Sequence, residues 1–139
     1  MQTPVIIVSV IVLVIVLFIL IDRFKKAGRS KNLDKQYFKK KWEEIEKAAN
    51  MKSEMGYKMA IIEADKLLDD AFKKLMMPGS DMGSRLKVII YKYPNLRKVW
   101  EAHIVRNKIA HESSFKLYDS TAKKSLNTYK EALKEIGIL

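Results

Sequence analysis

The chain has 139 residues, enough for one domain plus an appendage, with 27 Lys or Arg against 16 Asp or Glu and a net charge of +11. It contains no cysteine, which excludes structural disulfides, thiolate metal sites and a cysteine nucleophile. The positive charge is uneven. Residues 23–41 hold nine basic groups and one acid, whereas residues 51–139 hold 17 basic and 11 acidic groups, a mild bias that tolerates polyanions without demanding them.

The first element is the uncharged run Val5 to Ile21, 17 residues broken only by Ser9. As a helix it would span roughly 25 Å, a little under the ~30 Å hydrocarbon core. It reads as an N-terminal transmembrane helix within residues 1–26. A cleaved signal peptide fits less well, because Met1-Gln2-Thr3-Pro4 has no basic side chain and Asp22-Arg23-Phe24-Lys25-Lys26 is a poor cleavage site. The basic groups Arg23, Lys25, Lys26, Arg29 and Lys31 all follow the run. They would sit at a membrane surface against anionic lipid headgroups. The positive-inside rule then predicts a single-pass plasma-membrane protein, N-terminus outside and C-terminal domain cytoplasmic.

Residues 27–33 are small, polar and basic, and read as a linker with a hinge at Gly28 to Asn32. Residues 34–139 read as helices throughout. Asp34 is placed to cap the first, which carries Phe38, Trp42 and Ile45 at helical spacing. Ser53 caps a second from Glu54 to Met76, ended by Pro78-Gly79-Ser80. A short helix over Met82 to Tyr91 follows. Asn95 caps a fourth that runs through Leu96, Trp100 and Ile104 to about His111. Asp119 caps the last, with Ala122, Leu126, Tyr129, Leu133 and Ile136 on one stripe and Gly137 as its C-terminal cap. No period-2 alternation appears outside the first run, so the fold class is all-α: a four- to five-helix bundle behind the anchor.

The fourth helix carries the chemistry. On a wheel, Leu96, Val99, Trp100 and Ile104 mark one apolar arc, and Ala102, Val105 and Ile109 a second, which predicts contact on two sides. His103, Asn107 and His111, spaced i, i+4, i+8, fall inside the first arc with Arg106 at its edge. Polar groups on a buried face need partners, so this is either a hydrogen-bonded core network or a site. His103 and His111 are two turns apart, ~12 Å, too far to share one ion from this helix, and no metal or cofactor is expected. Glu63, Asp65, Asp69 and Asp70 mostly fall on the polar side of their helix, although Glu63 or Asp65 could reach the arginine. Met55, Met59 and Ile62 lie on that same polar side, which points to burial against a partner.

The string Arg106-Asn107-Lys108-Ile109-Ala110-His111, an arginine and asparagine followed after three residues by a histidine near the end of a bundle helix, resembles the signature of the HEPN superfamily. The helix with Tyr57 and Ala60-Ile61-Ile62-Glu63-Ala64-Asp65-Lys66-Leu67-Leu68 is similar to HEPN-type helices, and the likeness covers about Trp42 to Ile136. It implies a metal-independent endoribonuclease, which the expected anchor would tether to a membrane. His111 would be the acid–base group, and Arg106 would stabilise the phosphate in the transition state. Asn107 would orient the ring or bond the phosphate. Lys108 would touch substrate phosphate, while His103, Glu63 and Asp65 would act behind them. The resemblance also implies a homodimer whose two motifs line one cleft, with RNA or a nucleotide as ligand. One subgroup of the family carries a tyrosine two positions after the histidine; here that position is Ser113. The other reading the resemblance allows is a non-catalytic binding or scaffold module at the membrane, in which the motif is a polar network that fixes helix packing.

Overall fold

A computed structural model describes the backbone of residues 3–139 and the side chains of residues 7, 8, 10–21, 23 and 34–139. Among the described residues the chain is entirely helical: α1 (Thr3–Ala49), α2 (Glu54–Lys74), α3 (Met82–Lys92), a 3-10 turn (Pro94–Lys98), α4 (Val99–His111) and α5 (Asp119–Glu135). It divides into two compact units, Met1–Gln36 and Tyr37–Leu139.

In the first unit, the described side chains from Ile7 to Ile21 are exposed. Among the described residues no helix is long and apolar enough to cross a membrane. The expected N-terminal transmembrane helix is therefore corrected. So is the single-pass plasma-membrane placement derived from it. Of the proposed membrane-surface residues, Arg23 is exposed, and Lys25, Lys26, Arg29 and Lys31 lie outside the described side chains. The helix also runs without a break through residues 28–32 and past Asp34, which is an interior residue of α1 rather than its cap.

The second unit holds the core. Its largest fully buried side chains include Tyr129, Phe38, Phe72, Ile61, Leu68 and Leu86. Residues 37–49 of α1 contribute Phe38, Trp42 and Ile45 at i, i+4, i+7, the spacing that lines one helical face. That segment is fastened to α5 by polar groups at its edge. Trp42 Nε1 donates to Glu46 Oε1 at 2.8 Å, and Lys130 Nζ donates to the same oxygen at 2.6 Å while lying 5.9 Å from the Trp42 ring centroid.

Ser53 caps α2 as the sequence predicts, its hydroxyl accepting from the Gly56 N–H at 3.0 Å. Gly56 allows the start of α2 to lie on the end of α1: a Cβ there would come within 2.6 Å of the Ala48 carbonyl oxygen. The helix ends in a Schellman pattern, with Met76 in the left-handed region at φ 58° and the Met77 N–H returning to the Phe72 carbonyl at 3.0 Å. Gly137, at φ 74°, closes α5 in the same way, so its expected capping role is borne out. Asp81 and Ser84 form a reciprocal capping box at the start of α3.

The turn before α4 winds as 3-10 rather than starting an α-helix at Asn95, because Pro94 and the short loop tighten the entry. Val99 and Ala102 are buried in α4, Trp100, Val105 and Ile109 are half-buried, and Ile104 is 51% exposed. The helix is therefore packed mainly on one side, not two. In α5 the expected stripe is realised: Ala122, Tyr129 and Leu133 are fully buried, Ile136 nearly so and Leu126 partly.

Candidate functional site

Three helices meet at one carboxylate. Asp65 sits on the buried side of α2, between Ala64 and Leu68, with 2% of its surface exposed. α4 presents His103 and Arg106, one turn apart on a single face, and α5 presents Tyr129 from its apolar stripe. His103 Nδ1 lies 2.7 Å from Asp65 Oδ1. Against an ionised carboxylate that nitrogen must carry the proton. The Tyr129 hydroxyl donates to the same oxygen at 2.9 Å. Arg106 Nε approaches Asp65 Oδ2 at 3.4 Å but makes no hydrogen bond, so this contact is an ion pair without a directed N–H. The arginine instead donates through Nη1 to Asn107 Oδ1 at 3.0 Å.

Burial pushes the Tyr129 phenol far above its ordinary value, and the adjoining Asp65 charge and their hydrogen bond push it further. The phenol therefore stays a donor across physiological pH. The second nitrogen of His103, Nε2, faces the start of α3: a Cβ built on Gly83 would stand 3.8 Å from it and 3.8 Å from the Trp100 ring. Trp100 also meets the imidazole edge-on at 6.2 Å. One turn further along α2, Asp69 holds Arg85 of α3 at 2.9 Å and Lys73 at 2.8 Å. Two successive carboxylates of α2 thus tie down α4 with α5, and then α3.

The residues singled out from the sequence separate into two groups. Arg106, Asn107, His103 and Asp65 come together, with His103 in direct contact rather than behind the others. His111 does not join them. It is exposed at the last position of α4 and makes no hydrogen bond or ion pair among the described residues, in the last turn where the helix dipole favours a cation. Glu63 is exposed, about 200° around α2 from Asp65. Lys108 is exposed with its ammonium 5.8 Å from the Phe115 ring centroid. Among the described residues no group of three or more His, Cys, Asp or Glu is arranged to hold a metal ion. Tyr129, read from the sequence as apolar core, is the member that reading missed. The signal was a phenol in the middle of an apolar stripe, which needs a polar partner once buried.

A groove of about 440 Å³ opens on the other flank of α2, between residues 37–48 of α1 and 59–70 of α2. None of the Asp65 network lines it. Its rim carries Lys41, Lys66, Glu44, Glu63 and Asp70, and Met59 stands beside them.

No protein-family model, no curated protein and no solved structure matches this chain. The likeness to the HEPN superfamily thus rests on the residues quoted from the sequence.

Proposed function

We propose that this protein is a non-catalytic binding module, a helical bundle that recognises another protein chain, in which the string from Arg106 to His111 serves packing rather than RNA cleavage. One observation carries the reading: the Arg106 guanidinium is turned toward a buried carboxylate that already accepts from His103 and Tyr129. A guanidinium neutralised by Asp65 has less field to offer a phosphate. The imidazole that would move the proton, His111, stands apart at the helix end.

The test pairs RNA cleavage in chelator with thermal unfolding, for the wild type and for His103→Ala, Arg106→Ala and His111→Ala. A binding module gives no cleavage of single-stranded or structured RNA. His103→Ala and Arg106→Ala then lower stability by about 1–3 kcal/mol each, because each strips a partner from a buried group. His111→Ala stays within about 0.5 kcal/mol, as an exposed substitution should. Cleavage that leaves cyclic phosphate ends and vanishes in a fully folded His111→Ala variant would overturn the reading in favour of a metal-independent ribonuclease.

A further inference from the structure

We infer that the outward face of α3 is a docking surface for an acidic segment of another protein, one in which carboxylates flank an apolar side chain. The inference rests on the binding-module reading above and names the partner's chemistry. Residues 82–100 hold five Lys or Arg and no Asp or Glu, the longest acid-free stretch of residues 37–139. Met82, Leu86 and Ile89 fix α3 to the core. Lys87, Val88, Tyr91 and Lys92 are left on its exposed side. On a wheel the two lysines stand about 140° apart, with Tyr91 and Val88 between them. Tyr91 is 89% exposed, the most of any large apolar side chain among the described residues, and Val88 is 40% exposed.

Charge selects the occupant. Lys87 and Lys92 make no ion pair among the described residues, and Lys92 Nζ stands 5.4 Å from the Tyr93 ring centroid. The carboxylates at either side of α3 are engaged. Asp81 accepts from Ser80 and Ser84 at the start of the helix, and Asp69 holds Arg85 and Lys73. Lys98 lines a separate groove beside Glu131 and Glu135 and is not part of the face. The face therefore offers uncompensated positive charge on both sides of an apolar pair. A second copy joined here by a two-fold would set lysine against lysine. A nucleic acid would gain little, because two cations neutralise only two phosphates and Val88 has neither a donor for phosphate nor a ring to stack on a base. Carboxylates answer the lysines, and an apolar side chain between them covers Val88 and Tyr91, with the aromatic ring as the anchor.

The experiment selects binders to the full chain from a random peptide display library. Each selected peptide, fluorescently labelled, is titrated against wild type, Lys87→Glu/Lys92→Glu, Tyr91→Ala, and the charge-matched control Lys39→Glu/Lys40→Glu on α1. Selected peptides should carry Asp or Glu around an aliphatic or aromatic residue. The α3 reversal should weaken them by about tenfold or more and Tyr91→Ala by about fivefold or more, while the control stays within about threefold. All the substituted residues are exposed, so the four proteins should melt alike. No enrichment, enrichment of peptides without acidic residues, or a loss in the α3 reversal no greater than in the control would overturn the inference. So would a mixed-sequence single-stranded RNA that binds more tightly than the selected peptides and is lost with the same α3 reversal, since the face would then belong to nucleic acid. The two readings fail separately. RNA cleavage that is lost in His111→Ala ends the binding-module reading and leaves the α3 surface, whereas an inactive protein that selects no acidic peptide does the reverse.

Discussion

Replacing Asp65 by alanine tests the central junction most directly. The substitution removes the acceptor of the Tyr129 hydroxyl, which is fully buried, and of His103, whose side chain is 12% exposed. Each orphaned donor costs about 1–3 kcal/mol. Arg106 is 32% exposed at its side chain and can turn to water, so its loss adds at most about 1 kcal/mol. Against this, the folded state no longer has to desolvate a carboxylate. The net expectation is about 3 kcal/mol of lost stability for Asp65→Ala, and about 1–2 kcal/mol for Asp65→Asn, which keeps one carbonyl acceptor and the shape. Urea unfolding followed by tryptophan fluorescence is suited to the measurement, since Trp42 and Trp100 lie in different helices of the bundle. The midpoint should fall with little change in slope. Glu63→Ala, on the exposed side of the same helix, is the control and should shift stability by no more than about 0.5 kcal/mol. A loss below about 1 kcal/mol for Asp65→Ala, or one equal to the control, would refute the network as a structural keystone.

Two further perturbations probe how the segment 37–49 of α1 is fastened. Gly56→Ala places a methyl group 2.6 Å from the Ala48 carbonyl oxygen, a backbone atom with no room to yield, and should cost about 1–3 kcal/mol in the same urea assay. Glu46 is held below its ordinary value of 4.5, chiefly by the hydrogen bond from Lys130 and next by that from Trp42. A carboxyl depressed on folding contributes stability above its ordinary pKa and loses it as pH falls through the folded value. Glu46→Gln should therefore narrow the gap between melting temperatures measured at about pH 6 and about pH 3. An unchanged gap would remove Glu46 from the acid response.

The helical reading of residues 54–135 was accessible because its signals are local. Ser53 precedes a run with core residues at helical spacing, and Gly137 stands where a left-handed cap is needed. The junction was less accessible because it depends on rotation rather than type. Glu63 and Asp65 are chemically alike and two positions apart, yet one faces solvent and the other lies beneath α4 and α5. A wheel drawn on α2 alone cannot say which flank its neighbours will cover. The same limit made α4 look two-sided: its second apolar arc is half-buried, and Ile104 from the first is left exposed. Asp34 misled for a different reason. An aspartate is a good first residue for a helix, but here the helix is already running, and the favourable cap site has no free N–H groups to serve.

The bonds from Asp65 to His103 and Tyr129 span 38 and 64 positions of sequence. Each helix of the bundle can wind within about a microsecond from contacts close at hand, whereas the carboxylate meets its partners only when three such segments have docked. A junction of that kind closes late. Interactions absent from the folding transition state leave the speed of folding almost untouched and act instead on how long the native chain survives before it opens. The buried carboxylate is then a latch, whose strength is read in the lifetime of the closed bundle.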